Sequence, residues 1–400
     1  FSELLDKLDI SYPASSTAET YEDAVEVAGR IGYPLLVRPS YVLGGRGMAI
    51  VYDSKSLRTY MDEAAHVTPD HPVYLDSFLE DAVELDVDAL ADGTECYVGA
   101  VLEHIEECGI HSGDSACCTP PFSLSDKLVE RVCEITRQLA LATGVRGLMN
   151  VQYAVKDNTV SVIEMNPRAS RTVPFSSKAT GVPLAKYAAL IMQGAKIADL
   201  NLPASNRELG YYACKEAVMP FGRFPGADVV LGPEMKSTGE VMGIGRSFPE
   251  AYAKTQLAID YSLPTEGTCF ISVNDRDKRN VIPIARDLSN LGFKIVSTSG
   301  TAKALRAAGI EVEVARRMSE MHPNIGDVIA AGGIQFMINT PGGAGTRNDG
   351  FKLRSAAVRH SLCYVTTLSA ASAFVSAIQL VQRSKLEAFA LQDLASMGEE

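Results

Sequence analysis

Ten residues near the middle of the chain carry its densest chemistry: Val162-Ile163-Glu164-Met165-Asn166-Pro167-Arg168-Ala169-Ser170-Arg171. Side chains alternate along a strand, so Glu164 and Asn166 share one face while Ile163 and Met165 take the other. A carboxylate and an amide oxygen are hard ligands suited to Mg²⁺ or Mn²⁺, ions that usually also hold nucleotide phosphates. Pro167 ends the ladder, after which Arg168 and Arg171 stand close enough to fork onto one anion. A buried strand followed by a solvated basic turn fits the same ten residues, and the segment alone does not decide between the two.

The elements that must position this segment lie upstream. Residues 148–155 read as a strand that turns through Asp157-Asn158 into residues 160–166, which sets Gln152 beside Glu164 on the neighbouring strand. An amphipathic helix over residues 125–142, stopped at Gly144, precedes that hairpin. Glu84-Leu85-Asp86-Val87-Asp88-Ala89-Leu90 alternates acidic and apolar residues, as a strand with one polar face does, and Asp92-Gly93 turns it into residues 96–102. The loop over residues 103–115 holds His104, Glu106, Glu107, Cys108, His111 and Asp114; loops this long and this titratable are usually functional. Nearer the N-terminus a helix over residues 20–30 stops at Gly32, and residues 55–65 form another. Two strands, one fenced by Pro34 and Pro39 and one over residues 48–52, flank Gly44-Gly45-Arg46-Gly47. Strand, glycine loop, strand makes a hairpin lid whose N–H groups can approach phosphates; a plain hairpin turn reads the same.

Residues 195–265 are looser and rich in Gly and Pro, and the composition changes again at Thr265-Glu266-Gly267. Beyond that boundary strands and helices alternate, which predicts a three-layer α/β domain with a parallel sheet. Its strand ends are Ser297-Thr298-Ser299-Gly300-Thr301, Ile338-Asn339-Thr340-Pro341-Gly342-Gly343 and Val365-Thr366-Thr367. Hydroxyls and glycines before helix N-termini suit a phosphate, although ordinary turn and cap chemistry uses the same residues.

Composition narrows the function class. Four hundred residues imply two or three domains, and 46% hydrophobic content supplies real cores. A net charge of -12 argues against nucleic acid or an anionic membrane as the main partner, so any anion site must be a local basic pocket. No apolar run reaches the roughly 18 residues of a membrane span. The start at Phe1 without a signal peptide reads as a fragment of something longer. Eight irregularly spaced cysteines read as reduced cytosolic thiols, and the spacing of Cys108, His111, Cys117 and Cys118 matches no usual zinc pattern.

End to end, the chain resembles the C-terminal part of the carbamoyl phosphate synthetase large-subunit family. The resemblance rests on Val37-Arg38-Pro39-Ser40-Tyr41-Val42-Leu43-Gly44-Gly45-Arg46, His111-Ser112-Gly113-Asp114-Ser115, Arg146-Gly147-Leu148-Met149-Asn150-Val151-Gln152 and Ser177-Lys178-Ala179-Thr180-Gly181-Val182-Pro183. Residues 231–242 add a further stretch. It implies an α+β ATP-grasp domain over residues 1–200, truncated at its N-terminus, a connector over 201–265, and a methylglyoxal-synthase-like α/β/α allosteric domain over 266–400. The implied activity is ATP-dependent phosphorylation of carbamate, in pyrimidine and arginine biosynthesis in the cytoplasm.

Residue by residue, the resemblance implies Gln152, Glu164 and Asn166 as ligands of Mg²⁺ or Mn²⁺, and Arg38 on the ATP phosphates. Ser77, Leu79, Glu84, Gly109, Ile110, His111 and Ser112 would line the nucleotide cleft, and Arg168 and Arg171 would hold carbamate and the moving phosphoryl group. Glu84, His104 and Glu106 fall where K⁺ is expected. Lys278, Thr298, Thr301, Asn339 and Thr340 match a nucleotide monophosphate effector site, and Glu106, Asp114, Glu216 and Thr366 lie near an ornithine site of some members. Val365 replaces an acidic residue of ornithine-responsive members, and Pro341 replaces a common threonine. The implied partners are the rest of the large subunit and a glutaminase small subunit. Two alternatives remain at this stage: another ATP-grasp ligase resembling biotin carboxylase, and a catalytically silent nucleotide sensor.

Overall fold

Local chemistry opens and closes the first elements. Thr20 Oγ1 accepts from Asp23 N at 3.1 Å while Asp23 Oδ2 accepts from Thr20 N at 3.1 Å, a capping box that opens the helix Tyr21–Ile31. This computed structural model describes residues 1–41, 44–67, 71–204, 209–224, 227–259, 262–341 and 347–394. Val42-Leu43 of the glycine-loop motif and Gly342-Gly343 of the expected strand-end loop lie outside the described residues. The chain divides into two compact units, one of Phe1–Ala213, Gly232–Lys236 and Phe389–Glu400, the other of Cys214–Leu231 and Ser237–Ala388.

The first unit holds a small sheet of β1 (Ser15–Ala18), β2 (Leu35–Pro39), β3 (Ala49–Val51) and β4 (Val73–Ser77), in the order β1-β4-β2-β3. Leu35, Val37 and Leu75 bury one face of it against Ala24, Val27 and Leu57 of its two helices. The larger antiparallel array contains β5 (Val83–Asp92), β6 (Cys96–His104), β7 (Cys117–Thr119), β8 (Arg146–Lys156) and β9 (Thr159–Asn166), ordered β7-β6-β5-β8-β9. Asp157 and Asn158 take left-handed φ values of 50° and 61°, the two-residue turn that matches strand twist. That turn pairs Val155 with Val160 and Tyr153 with Val162, and a register shift between Tyr153 and Gln152 then brings Gln152 opposite Glu164 and Asn150 opposite Asn166.

Period-two alternation then sorts the faces. Leu85, Val87, Ala89 and Ala91 of β5 pack with Val132, Ile135 and Leu139 of the helix Asp126–Thr143, each buried large aliphatic contributing roughly 1.5–3 kcal/mol. The intervening residues Glu84, Asp86 and Asp88 point the other way, as the alternation predicts. That face is not solvated, however: the three are only 6%, 2% and 0% exposed. A sequence period reports which residues share a face, not what covers that face.

The second unit carries β10 (Tyr212–Val218, entering from the first unit), β11 (Gly239–Gly245) and a parallel sheet. The sheet comprises β12 (Thr268–Ser272), β13 (Lys294–Ser297), β14 (Glu313–Val314), β15 (Phe336–Asn339) and β16 (Cys363–Val365), ordered β14-β13-β12-β15-β16. Consecutive residues of β15 face opposite layers: Phe336 stacks on Phe374 of the helix Leu368–Arg383, while Met337 joins Ile325, Ile329 and Leu353. Helices therefore cover both faces, as the strand–helix alternation predicts. Among the described residues no helix is long and apolar enough to cross a membrane.

Candidate active site and effector site

The β8–β9 edge brings the expected oxygen donors together. Gln152 and Glu164 are direct cross-strand partners, with Asn166 two pairs along, opposite Asn150. Asn166 Nδ2 donates to Glu164 Oε1 at 2.7 Å, and Arg168 Nη2 donates to Asn166 Oδ1 at 3.2 Å. Glu164, Arg168 and Arg171 are exposed, so this edge is open to a ligand.

Behind the edge runs a buried polar row for which the sequence offered only an alternation. Asp86 Oδ1 accepts from Gln152 Nε2 at 3.2 Å and from Asn150 Nδ2 at 3.1 Å; its Oδ2 pairs with His104 Nε2 at 2.9 Å. Burial opposes ionisation of Asp86, but His104 and the two amides outweigh it and hold the carboxyl below its usual range. Glu84 has weaker support, a 3.3 Å bond from Gly109 N, and burial pushes its carboxyl up to about 6. The bond from Gln152 Nε2 to Asp86 leaves Oε1 as the other amide atom, which suits a cation ligand.

The loop over residues 109–115 and the segment Gly232–Lys236 meet each other beside Arg171. His111 N donates to Gly232 O at 2.9 Å, Lys236 N donates to Asp114 Oδ2 at 2.7 Å, and Arg171 Nη1 touches Met235 Sδ. His111 Nδ1 accepts from Gly113 N at 3.0 Å, and burial lowers the pKa of the ring, so the neutral imidazole carries its proton on Nε2. Asp114, assigned by resemblance to an ornithine site, is thus already committed to a loop contact. The segment 232–236 had no role read from the sequence; only its long-range contacts reveal one.

The glycine loop joins the same assembly. Met235 N donates to Gly44 O at 3.1 Å, and a Cβ on Gly45 would stand 1.8 Å from Pro233 O. Arg38 is held by Asp76 Oδ2 at 2.9 Å and lies over the Tyr74 ring at 4.7 Å. Ser77 ends β4 and Leu79 follows it, while Gly109 lies against the Phe78 ring, where a Cβ would meet Cε2 at 2.6 Å. Ile110 is buried and Ser112 half-buried in the same loop. Cys117 and Cys118 are successive residues of β7 and point to opposite faces, which separates them as potential ligands.

In the second unit the expected effector residues gather at the carboxyl ends of β12, β13 and β15. Thr298 Oγ1 lies 3.1 Å from Ser272 Oγ, Asn339 Nδ2 donates to Ser272 O at 2.8 Å, and Thr340 Oγ1 accepts from Asn274 N at 3.0 Å. Thr301 is 1% exposed and accepts from Val273 N at 3.3 Å, so it braces a strand end. Lys278 is paired with Asp275 and lies over the first turn of the helix Ser299–Ala307, its Nζ 3.1 Å from where a Cβ on Gly300 would stand. Neighbouring strand ends leading into a helix N-terminus form the crevice where open α/β sheets bind ligands. Glu216 lies in β10 with Gln256 Nε2 at 2.7 Å, and Thr366 is half-buried after β16.

Comparison with known proteins assigns both parts. Residues 1–200 match the model of the carbamoyl-phosphate synthase L chain, ATP binding domain, and residues 280–366 match the MGS-like domain. The carbamoyl phosphate synthase large chain of Methanothermobacter thermautotrophicus is 51% identical over 400 residues, covering 99% of this chain and 38% of that protein. The corresponding protein of Archaeoglobus fulgidus is 50% identical over 394 residues, covering 98% of this chain and 36% of its own length. The chain thus spans little more than a third of the length of these relatives. A solved biotin carboxylase domain from the Hydrogenobacter thermophilus 2-oxoglutarate carboxylase, in complex with MgADP and bicarbonate, matches with a TM-score of 0.52 at 17% identity over 64% of each chain, a likeness of fold alone. With one family model spanning residues 1–200 and relatives half identical along nearly every residue, this chain belongs to the carbamoyl phosphate synthase large chain family.

Proposed function

We propose that this chain is the C-terminal part of a carbamoyl phosphate synthase large chain, and that its ATP-grasp domain, residues 1–200, phosphorylates carbamate with ATP. The observation that carries this reading is the convergence of Gln152, Glu164 and Asn166 with Arg168 and Arg171 on one exposed edge. An all-oxygen donor set fits a hard divalent cation, and Mg²⁺ or Mn²⁺ bound there would neutralise charge on the ATP phosphates.

The chain's own groups do the rest by positioning. Arg38, stiffened by Asp76 and Tyr74, meets the phosphates, and Ser77, Leu79, Glu84, Gly109, Ile110, His111 and Ser112 line the adenosine cleft. Arg168 and Arg171 hold the carbamate oxygen in line with the γ-phosphorus. They stabilise the equatorial oxygens as the bond to ADP breaks and the bond to carbamate forms. Glu84, His104 and Glu106 form a K⁺ site, for which the weakly compensated Glu84 carboxylate is the support.

Residues 266–400, reached through the connector 201–265, form the allosteric domain. Lys278, Thr298, Thr301, Asn339 and Thr340 bind a nucleotide monophosphate there, Lys278 supplying charge and the helix Ser299–Ala307 supplying oriented N–H groups. The protein works in the cytoplasm with the remainder of the large chain, which makes carbamate, and with a glutaminase small subunit.

Glu164→Gln tests the central claim, because it keeps shape and removes one charge from the cation site. In the intact synthase, ATP synthesis from carbamoyl phosphate and ADP is expected to fall about a thousandfold, equivalent to ~4 kcal/mol of transition-state stabilisation. An unchanged rate refutes the assignment.

A further inference from the structure

Three hydroxyl-bearing residues around the arginine loop turn inward onto one carboxylate. Asp88 is 0% exposed on the polar face of β5. Its Oδ1 accepts from Ser170 Oγ at 2.7 Å and from Asn150 Nδ2 at 3.1 Å, and its Oδ2 accepts from Ser176 Oγ at 2.7 Å. Thr172 Oγ1 lies 2.7 Å from Ser170 Oγ. Ser170 is the residue immediately before Arg171, and Ser176 lies one turn into the helix Thr172–Thr180 that follows. Arg171 itself is the N-cap of that helix and offers no side-chain capping bond. The loop end that carries the guanidinium is therefore tied down from the sheet by short hydrogen bonds onto a buried carboxyl group.

The same carboxylate is linked to the cation edge. Asn150 Nδ2 is shared between Asp88 and Asp86 at 3.1 Å each, and Asp86 also takes the amide of Gln152. Strand pairing stacks the groups in line: Asp88 lies opposite Asn150, which lies opposite Asn166, and Asp86 lies opposite Gln152, which lies opposite Glu164. A fully buried carboxylate is a costly way to fill space, since apolar residues of similar volume usually serve stability as well or better. Two of its donors, Ser170 and Asn150, flank the proposed substrate arginine Arg171 and the proposed cation ligand Gln152.

We propose that Asp88 is a positioning residue for phosphoryl transfer: through Ser170 it sets the Arg168–Arg171 loop, and through Asn150 it locks that loop to the strand pair bearing Gln152, Glu164 and Asn166. The proposal deepens the carbamate-phosphorylation reading and rests on it. Ser170 and Ser176 make it testable, because they give the same carboxylate equally short bonds from different places. Ser170 holds the loop, whereas Ser176 holds only the helix body.

The experiment compares Ser170→Ala, Ser170→Thr, Ser176→Ala and Glu164→Gln in the intact synthase, measuring carbamoyl-phosphate-dependent ATP synthesis and thermal melting. Ser170→Ala is expected to lower kcat ~10- to 100-fold, the scale of an ångström-level misplacement, with KM for ADP within about twofold of wild type. Ser170→Thr restores the hydroxyl and is expected to recover most of kcat. Ser176→Ala is expected to lower the melting temperature at least as much as Ser170→Ala with a far smaller loss of kcat. If kcat follows the melting temperature equally in both alanine variants, Asp88 is a structural residue and the proposal falls. Loss in Glu164→Gln with Ser170→Ala unaffected removes the positioning role alone, whereas an unaffected Glu164→Gln removes the phosphoryl-transfer reading beneath it.

Discussion

Arg354→Met probes how the proposed effector site is built, because the structure isolates what one side chain contributes. Arg354 lies in the helix Arg347–Arg359 and is 3% exposed. Its Nε and Nη2 form a two-pronged bond to Asp228 at 2.9 and 2.8 Å, and its Nη1 donates to Asn339 Oδ1 at 2.9 Å. Methionine keeps the apolar stem and removes every donor. Asp228 is 39% exposed on its side chain and regains water, so losing that pair costs only about 1 kcal/mol. Asn339 is 5% exposed, and its buried oxygen loses the Arg354 donor, which costs a further ~1–3 kcal/mol. The expected loss of stability is therefore ~2–4 kcal/mol, below that of a fully buried ion pair because one partner can rehydrate. Urea unfolding measures it, and hydrogen exchange of the backbone around Asp228 and along β15 locates it. Asn339 also donates to Ser272 O, so losing Arg354 frees the amide to turn and lowers nucleotide monophosphate affinity by calorimetry. A stability change under ~0.5 kcal/mol, the scale of an ordinary surface substitution, refutes the energetic reasoning. Lost stability with unchanged affinity removes Asn339 from the effector site.

Two further outcomes follow from other parts of the chain. Gly45→Ala forces a Cβ into Pro233 O at a φ of +71°, so ~1–2 kcal/mol of backbone strain joins an overlap that must part the glycine loop from the segment 232–236. A raised KM for nucleotide and a lower melting temperature are expected, and wild-type values for both refute the contact. Burial pushes the Glu216 carboxyl up to about 6, so the native state holds its proton where the unfolded chain has released it. Stability is then lost as pH rises from about 4.5 to 6 and the deficit persists above, at most ~2 kcal/mol for this group. Glu216→Gln is expected to flatten that part of the stability–pH curve measured by urea unfolding, and parallel curves for variant and wild type refute it.

What the sequence determined by itself was local. Asp157-Asn158 demands a two-residue left-handed turn, so the hairpin was readable without coordinates. Regular pairing from that turn sets Gln152 opposite Ile163, however, and only a register shift after Tyr153 brings Glu164 there. Thr20 with Asp23, and Gly144 at φ +65°, likewise mark helix ends by chemistry confined to one turn of chain. The parallel sheet followed from the rhythm of strand and helix, and the β2–β3 hairpin from glycines between two strands.

Tertiary structure decided what those patterns are used for. Alternation in β5 is the same whether its acidic face meets water or protein; Asn150, Ser170 and Ser176, 62 to 88 residues from Asp88, turn it into a buried, hydrogen-bonded row. Asp114 and Lys236 meet across 122 residues, and no local signal announces that the later segment closes over His111 and Arg171. Thr301 and Asn339 carry ligand-like side chains, yet much of their bonding capacity goes to neighbouring strand ends and to Arg354. Period, turns and caps are properties of a few consecutive residues. Whether a charge is solvated, braced or free to bind depends on which distant groups the topology brings against it.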